Sequence, residues 1–391
     1  MKKVVSIVIA LMMALMLFAG CSKPAQSASA GATIKLGVLA PLTGDVAQYG
    51  TAVANGVTLF FEQLNAAGGI NGKQVELISY DEEGAPDKAV VGYGDLLDKG
   101  VTAIIGDVTT APTIAVVTES QADNTPMITA SATAAAVTVS ETGAVYTNMF
   151  RSCFIDPFQG SKMASFASEI LSAKTAAVLF NTGSDYSIGL KDAFLETAAE
   201  LGLDVISNES FSDGATDFQS QLTNIAAKKP DVLFVPDYYS VVALVAKQAK
   251  DAGLTATLLG ADGWDSVLNT VEDASLLEGS YYCSGYSTKD TTEAVQTFVT
   301  NYKAKFNAEP NMFAAQGYDA AMIMAAALTK AEEAGLEAGT AEYKQAVIDA
   351  MKATNMDCVT GHVTYDEFNN PEKTAAIINI VGGDDQFWGK F

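Results

Sequence analysis

The chain has 391 residues, and its 46 acidic and 23 basic residues give a formal net charge of −23 at pH 7. A chain this acidic should repel nucleic acids and anionic lipid head groups, so neither is an expected partner. The single histidine, His362, leaves little from which to build a Ser-His-Asp site, a Cys-His site or a histidine zinc site. We therefore expect a protein that is not an enzyme and that carries no metal or cofactor.

The N-terminus has the pattern of a bacterial export signal. Two lysines precede an apolar run over residues 4–19, and a pair of small residues leads to Cys21. Residues 18–21 (FAGC) resemble a lipobox, in which the cysteine receives a lipid before cleavage, although phenylalanine stands first where leucine is commoner. An ordinary secretory signal with an incidental Cys21 is the alternative. The sequence thus predicts a signal peptide (1–20), a lipidated tether (21–32) and an extracytoplasmic protein anchored through Cys21.

From residue 33 onward, short apolar or β-branched runs alternate with stretches long enough for amphipathic helices. This alternation predicts parallel sheets flanked by helices. The first series predicts strands at 34–40, 75–80, 103–105 and 127–129, with helices at 48–67, 87–98 and 112–123. The second series predicts strands at 176–180, 204–207, 231–235 and 257–259, with helices at 158–171, 188–201, 218–227 and 241–252. Each series is long enough for one doubly wound lobe.

The remaining chain holds too few strands for a third sheet. Its predicted elements are a strand near Tyr281, helices at 293–306, 313–333 and 342–353, and short strands at 362–365 and 374–381. We expect the chain to return to the first lobe and then to cross again to the second. The predicted lobes are 33–151 with 286–360 and 152–285 with 361–391, with hinge crossings around 149–156, 285–289 and 360–363. A ligand of such a fold binds outside the C-terminal strand ends, between the two sheets.

Two loops of the first series carry a family resemblance. Residues 41–50 (PLTGDVAQYG) follow the first strand, and residues 65–72 (NAAGGING) precede the second strand, which leads to Asp81. Together they resemble the branched-chain amino-acid binding protein family, the type I periplasmic binding proteins of ABC importers. The resemblance implies an α/β fold of two doubly wound parallel-sheet lobes joined by a three-crossing hinge. It also implies an amino-acid ligand and an ABC permease as partner, and one ligand between two lobes of one chain requires no second subunit, so a monomer is expected.

A free amino acid presents a carboxylate, an ammonium and a side chain, so its site needs hydrogen-bond donors, an acid and a shaped wall. Residues 106–113 (GDVTTAPT) follow a predicted strand and place hydroxyls at a helix N-terminus, where free N–H groups favour an anion. Thr110 falls at the family's carboxylate-binding position. Without the resemblance, Thr109 or Thr110 would be interpreted as a helix cap.

Two further segments match the family's positions for holding the ligand backbone. Ser131, Ala132 and Thr133 stand where the family has a small-small-Thr segment that holds the α-carboxylate and α-ammonium, although alone they would indicate an ordinary loop. Asp262 stands where the family places an acid that pairs with the ammonium, with Asp replacing the Glu of well-known members. In isolation Asp262 would be interpreted as an exposed turn residue before a glycine.

Aromatic residues supply the predicted wall for the ligand side chain. Tyr186 and Tyr238 occupy the family's second-lobe aromatic positions, and Tyr49 is expected to face them from the first lobe. Phe313 and Trp264 are weaker candidates. Core packing is the commoner role for an aromatic residue, and position alone favours the pocket.

Other residues receive no role in the site. Cys153, Cys283 and Cys358 lack metal-ligand spacing and are expected to be small buried hydrophobes, with one disulfide possible. The acid runs 81–83 and 384–385 are expected in solvated polar turns.

The sequence therefore predicts a lipid-anchored substrate-binding protein that captures an amino acid by closing two lobes. Leucine, isoleucine and valine are the default ligands that the resemblance implies. Two alternatives stay open: the same fold binding another small polar ligand, such as an amide, urea or an aromatic acid, and a sensory receptor that regulates a partner protein.

Overall fold

The computed structural model describes residues 33–391, which form two large sheets, each flanked by helices. The predicted signal peptide, the tether and Cys21 lie outside the described residues. Within residues 33–391, no helix combines the length and the apolar character needed to cross a membrane.

The first lobe is built on a five-stranded parallel sheet in the order β2-β1-β3-β4-β5. Its strands are β1 (Ile34–Ala40), β2 (Val75–Asp81), β3 (Ala103–Ile105), β4 (Met127–Thr129) and β5 (Met149–Arg151), and its first helices are α1 (Ala47–Ala66), α2 (Pro86–Asp98) and α3 (Thr110–Ser120). Helices on both faces bury the central strands, which explains why these strands are nearly continuous apolar runs. Strand β5 was not predicted, and residues 149–156 were expected to form a hinge crossing.

The second lobe is built on a seven-stranded sheet in the order β14-β13-β10-β9-β8-β6-β7. Its strands are β6 (Thr175–Asn181), β7 (Asp204–Phe211), β8 (Val232–Phe234), β9 (Thr257–Gly260), β10 (Tyr281–Ser284), β13 (Ala376–Val381) and β14 (Asp384–Lys390). Its helices are α4 (Asp156–Ser165), α5 (Asp185–Leu201), α6 (Gln219–Lys228) and α7 (Tyr239–Asp251). The strands from β7 to β10 are parallel, whereas β13 and β14 are antiparallel. The acids at 384–385 thus begin a strand and do not lie in the predicted turn.

The chain returns to the first lobe through α8 (Glu293–Phe306), α9 (Met312–Glu333) and α10 (Ala341–Lys352). Helix α9 crosses α1 with the two backbones in near contact. A Cβ atom on Gly56 would lie 2.1 Å from the carbonyl oxygen of Ala314, and one on Gly317 would lie 2.5 Å from that of Val53. Only glycine fits at these two positions, so the returning helix is fixed to the first lobe by a contact that sequence spacing does not reveal.

The last connection between the lobes follows a two-stranded hairpin. Its strands are β11 (Asn355–Cys358) and β12 (Gly361–Thr364). Beyond it, the Asn369 side chain still donates to the carbonyl oxygen of Met149 in the first lobe (3.0 Å), and the chain enters the second sheet at Ala376. We propose that the third crossing lies at residues 370–375, later than the 360–363 expected from the sequence.

The three cysteines of the described range are buried and unpaired. Burial raises the pKa of the Cys153 thiol to about 12 and raises those of Cys283 and Cys358 as well. These thiols therefore stay protonated at neutral pH and pack as small hydrophobic side chains, as predicted.

Candidate functional site

A small cavity lies between the two lobes, where the loops after the parallel strands of both sheets meet. Its volume is about 10 Å³, room for about one water molecule. Every predicted site residue except Ala132 lines it. The lining residues are Tyr49, Val108, Thr109, Thr110, Ser131, Thr133, Tyr186, Tyr238, Asp262, Gly263 and Phe313.

Asp262 is the buried acid of this cavity. It follows β9, it is 2% exposed, and its Oδ1 accepts hydrogen bonds from Tyr186 Oη (2.7 Å) and Gln159 Nε2 (3.1 Å). Burial raises the pKa of Asp262 to about 6, and the two side-chain hydrogen bonds limit the rise. The group is therefore mainly ionised at neutral pH, and no lysine, arginine or histidine among residues 33–391 forms an ion pair with it.

Thr110 supplies a hydroxyl on the opposite lobe. It begins the 11-residue helix α3, it is 2% exposed, and its Oγ1 is buried without a hydrogen-bond partner in the described part of the chain. Neither Thr110 nor Thr109 caps the helix with its side chain, so the capping alternative is wrong. A buried hydroxyl without a partner costs about 1–3 kcal/mol, and the first-turn N–H groups beside it add further donors.

The loop after β4 brings two of its three predicted residues to the cavity. Ser131 and Thr133 line it, whereas Ala132 does not. The Ala132 N–H donates to Thr129 Oγ1 (3.0 Å), and its carbonyl oxygen accepts from Arg151 Nη1 (2.9 Å). Both backbone polar groups of Ala132 are thus engaged within the first lobe.

Two tyrosines of the second lobe form one wall. The rings of Tyr186 and Tyr238 are stacked, with centroids 4.9 Å apart and planes 22° apart. The Tyr186 hydroxyl also accepts from the N–H of Gly263 (2.9 Å) while donating to Asp262. Burial raises the pKa of both phenols, so both remain neutral. Their positions at the starts of α5 and α7 come from the loops that follow β6 and β8.

Tyr49 connects the lobes directly. Its hydroxyl donates to the carbonyl oxygen of Gly263 (2.5 Å) and accepts from the N–H of Tyr239 (3.1 Å), both in the second lobe. Its ring stacks on Phe313 with centroids 4.1 Å apart. Two further pairs cross the cleft, Gln48 Nε2 to Thr270 Oγ1 (2.9 Å) and the Met312 N–H to Asp265 Oδ2 (3.0 Å). The lobes are therefore closed on each other, and Tyr49 is a closing contact as well as part of the wall.

The two weaker aromatic candidates have different positions. Phe313 lines the cavity, whereas Trp264 lies in the core behind it. The Trp264 indole donates to the carbonyl oxygen of Val235 (2.8 Å), and a Cβ atom on Gly260 would lie 2.2 Å from its ring.

Sequence reasoning missed two residues of helix α4 behind Asp262. Gln159 holds Asp262 from two sides, since its Nε2 donates to Oδ1 and its Oε1 accepts from the Asp262 N–H (2.9 Å). Asp156 is fully buried, and burial raises its pKa well above the usual value. Gln159 lies 103 residues from Asp262, so no local pattern could indicate the contact. Asp156 lies at the end of the hinge crossing predicted at 149–156, and its sequence neighbours did not indicate its burial.

A larger cavity lies elsewhere. It has a volume of about 640 Å³ and lies beside the hinge, where Asp265, Tyr282, Tyr286 and Asp385 contribute to its wall. None of the predicted site residues reaches it. Within residues 33–391 no group of three or more His, Cys, Asp or Glu side chains could hold a metal ion.

Two α/β lobes that close over a small cavity with polar and aromatic walls define a bilobed ligand-binding protein. A model of the periplasmic binding protein family matches residues 33–385. The chain therefore belongs to this family, and the predicted relationship to branched-chain amino-acid binding proteins is confirmed. Members of the family are extracytoplasmic substrate-binding proteins and not enzymes.

Relatives of similar length show the same relationship. The chain is 31% identical over 340 residues to the Leu/Ile/Val-binding protein BraC3 of Rhizobium johnstonii. The aligned region covers 86% of this chain and 89% of the relative. It is 28% identical over 343 residues to the leucine-, isoleucine-, valine-, threonine- and alanine-binding protein of Pseudomonas aeruginosa, with 88% of each chain covered.

Solved structures support the fold. The branched-chain amino acid transporter substrate-binding protein LivJ of Streptococcus pneumoniae, in complex with isoleucine, superposes with a TM-score of 0.82 at 30% identity over 92% of this chain and 99% of that one. A solute-binding protein of Rhodopseudomonas palustris in complex with benzoate superposes with a TM-score of 0.81 at 22% identity, over 92% of this chain and 96% of that one. The second likeness shows the fold alone.

Proposed function

We propose that this chain is a substrate-binding protein of an ABC importer that captures one free amino acid, with leucine, isoleucine and valine as the first candidates. One observation carries the proposal. An ionised acid without a cation, Asp262, and a buried hydroxyl without a partner, Thr110, belong to opposite lobes and line the same cavity. These two groups match the two charged ends of an amino acid.

The ammonium end is assigned to Asp262. A buried carboxylate is costly unless it meets a cation, and its Oδ1 is already held by Tyr186 and Gln159. Both side-chain hydrogen bonds that Asp262 accepts end on Oδ1, so Oδ2 is left as an acceptor for an ammonium from the ligand. Gln159 fixes the orientation of the carboxylate before the ligand arrives, which limits the entropy lost on binding.

The carboxylate end is assigned to Thr110 and the start of α3. The hydroxyl has no competing partner, and free N–H groups at a helix N-terminus favour an anion. Ser131 is less available, because its Oγ donates to the carbonyl oxygen of Val108 (2.7 Å). Thr110 is therefore the hydroxyl that we expect to contact the ligand most directly.

The ligand side chain is assigned to the aromatic wall. Tyr49 and Phe313 from the first lobe face Tyr186 and Tyr238 from the second, and all four rings are almost fully buried or packed against the core. Such a wall favours an apolar side chain, since a charged one would lose its hydration without a partner.

Capture requires the lobes to separate. A cavity of about 10 Å³ is too small for an amino acid, so the ligand enters an open form. In the bound form the side chains that line the cavity move apart to hold the ligand, while the contacts of Tyr49 with Gly263 and Tyr239 are kept. Only a closed form brings Thr110 and Asp262 to one ligand, and ligand binding therefore favours closure.

The location of the protein follows from its N-terminus in this proposal. Lipidation of Cys21 would hold a monomeric receptor near its ABC permease, with residues 22–32 as a tether. The acidic composition supports a protein that remains away from the membrane surface except at that anchor.

Titration calorimetry on the purified chain tests the ligand class. We expect binding of L-leucine, L-isoleucine and L-valine. Two analogues isolate the charged ends: 4-methylpentanoate is leucine without its amino group, and 3-methylbutylamine lacks the carboxylate. Leaving the buried Asp262 charge unpaired costs about 2–5 kcal/mol, so 4-methylpentanoate should bind at least about 30-fold more weakly than leucine. The amine leaves the Thr110 hydroxyl and the N–H groups of α3 without an anion and should also bind more weakly than leucine.

The same titration separates the alternatives. Benzoate, acetamide and urea serve as probes of the non-amino-acid ligands. Tight binding of any of these three compounds together with no heat from the amino acids would contradict the proposal, as would equal affinity for leucine and 4-methylpentanoate.

A further inference from the structure

Arg151 is the only arginine of the chain, and its side chain does not line the cavity described above. It is the last residue of β5 and is fully buried. The three hydrogen bonds that its guanidinium donates all go to uncharged oxygen atoms, and no acid of residues 33–391 forms an ion pair with it. A buried charge without an ion-pair partner is costly, so stability alone does not explain this residue.

The guanidinium holds one segment of the first lobe, residues 131–138, in the loop that leads from β4 to β5. Its Nη1 donates to the carbonyl oxygen of Ala132 (2.9 Å), and its Nη2 donates to the carbonyl oxygen of Ala134 (2.9 Å) and to Thr138 Oγ1 (3.0 Å). The donors of a guanidinium lie in one plane at fixed angles, so these bonds fix the two carbonyl groups relative to each other. Arg151 thus sets the orientation of the peptide groups at the start of the 131–138 segment.

The orientation of the Ala132 carbonyl determines where the N–H of Thr133 points. The peptide bond between these residues is trans, and the C=O and N–H groups of a trans peptide point in opposite directions. Because the Ala132 carbonyl oxygen faces Arg151, the Thr133 N–H points away from Arg151. Thr133 is buried and lines the cavity, and its N–H donates to no acceptor among residues 33–391. A buried N–H without a partner is rare in folded proteins, and this one is available to a ligand.

The positive charge of Arg151 acts through the same peptide group. None of the residues of the described chain that line the cavity is a lysine or an arginine. A carboxylate that accepts from the Thr133 N–H would lie ~8 Å from Arg151 Nη1, which is the summed length of two hydrogen bonds and one peptide group. At that separation and an effective dielectric constant of about 20, the attraction between two unit charges raises affinity by about 30-fold.

We propose that Arg151 is a positioning residue for the anionic end of the ligand. It directs the Thr133 N–H to the cavity and places a positive charge behind that donor, without contacting the ligand itself. This role rests on the proposed function and adds a requirement to it, because the ligand must then carry a carboxylate or another anion beside Thr133. An uncharged ligand such as an amide or urea gains little from this charge.

Calorimetric titration with L-leucine and L-leucinamide measures the effect of the charge. Leucinamide keeps the ammonium and the side chain of leucine and replaces the carboxylate with a neutral amide. Arg151→Met removes the positive charge at a similar side-chain length. We expect this variant to bind leucine about 30-fold more weakly and leucinamide about threefold more weakly or less, because the amide is uncharged. The preference for leucine over leucinamide should therefore fall about tenfold, whereas a merely structural role would weaken both ligands equally.

Three further variants complete this titration. Lys88→Met removes an exposed cation of the first lobe that pairs with Glu83, and it should bind both ligands as the wild-type chain does. Arg151→Lys keeps a positive charge and should recover part of the lost preference for leucine. Arg151→Gln is neutral and can still donate to one carbonyl oxygen, so it replaces Arg151→Met if that variant does not fold. An unchanged preference in the neutral variant, or no recovery in Arg151→Lys, would overturn the proposal.

Hydrogen exchange of the ligand-free chain, measured by mass spectrometry, separates this proposal from the proposed function. Exchange in residues 131–138 should be faster in Arg151→Met than in the wild-type chain and Lys88→Met, while exchange in β1, which does not neighbour β5, should be the same in all three. If leucine is not the ligand, the wild-type titration gives no heat and the proposed function fails, yet exchange in the 131–138 segment still differs. If exchange in this segment is the same in all three chains, Arg151 does not hold it and the present proposal fails.

Discussion

Removing the Tyr49 hydroxyl should weaken closure of the lobes without changing the shape of the site. Tyr49→Phe keeps the ring stacked on Phe313 and removes one oxygen atom. In the closed form the carbonyl oxygen of Gly263 and the N–H of Tyr239 then lose their partner. In an open form water would hydrogen-bond to both groups, so the whole loss falls on the closed form.

The expected loss of affinity in Tyr49→Phe follows from the free-energy cost of leaving a buried polar group unpaired. That cost is about 1–3 kcal/mol, and a value of ~2 kcal/mol shifts the balance between closed and open forms by about 30-fold. Because the ligand needs groups from both lobes, its affinity should fall by up to the same factor. The loss is smaller if the closed form remains the major one in the variant.

Two assays measure this effect together. Calorimetry gives the affinity for leucine, and small-angle X-ray scattering gives the radius of gyration, which should rise in Tyr49→Phe. Tyr318→Phe is the matched control, since the Tyr318 hydroxyl bonds to Gln63 (2.7 Å) within the first lobe. If Tyr49→Phe binds leucine as the wild-type chain does and has the same radius of gyration, Tyr49 does not hold the lobes closed.

Three other changes test the site and its surroundings. Thr110→Val should weaken leucine binding by about 10- to 150-fold, because a hydrogen bond to a charged group contributes about 1.5–3 kcal/mol. The melting temperature of this variant should be equal to that of the wild-type chain or higher, because a buried hydroxyl without a partner is removed. Calorimetry and thermal unfolding measure both, and a lower melting temperature with unchanged affinity would count against this role. Leucine binding should also weaken as the pH falls through about 6, because the buried Asp262 takes up a proton there and loses the charge that pairs with an ammonium. Calorimetric titrations with leucine from pH 5 to 7 measure this effect, and a constant affinity over that range would contradict it. Gly260→Ala places a Cβ atom 2.2 Å from the Trp264 ring, so it should reduce the free energy of unfolding by about 1–3 kcal/mol in a urea titration. Gly94→Ala is the control and should not reduce the free energy of unfolding, because no neighbouring atom lies within 4 Å of its Cβ position.

The sequence was most informative where strands are buried on both faces. β1, β3 and β4 are continuous apolar runs because helices cover the sheet on each side, and such runs were predicted within one or two residues. β14 was missed because it is an edge strand, half-exposed, with acids at its start and alternating burial along its length. Its residues carry the pattern of a polar turn until their pairing with β13 is known.

Residues of the site were predictable where they follow strand ends. Thr110, Asp262 and Tyr238 come soon after β3, β9 and β8, and the fold brings such loops together. The choice of Thr110 over its neighbours came from the family resemblance. Gln159 could not be predicted, because its contact with Asp262 joins distant parts of the chain.

Burial was the least predictable property of the acids. Glu82 lies between two other acids in a segment that looks like a solvated turn, yet it is fully buried while Glu83 is exposed. Local composition indicates that acids are present, and only the tertiary arrangement determines which of them are buried.

A two-by-two titration tests the central claim most directly, namely that Asp262 receives the ammonium of an amino acid. The wild-type chain and Asp262→Asn are each titrated with L-leucine and with 4-methylpentanoate, and Asp251→Asn, which removes an exposed acid at the end of α7, is the control. We expect Asp262→Asn to bind leucine at least about 30-fold more weakly, with little loss for 4-methylpentanoate, because only the amino group uses the carboxylate. If Asp262→Asn prefers leucine over 4-methylpentanoate by the wild-type factor, Asp262 is not the ammonium partner.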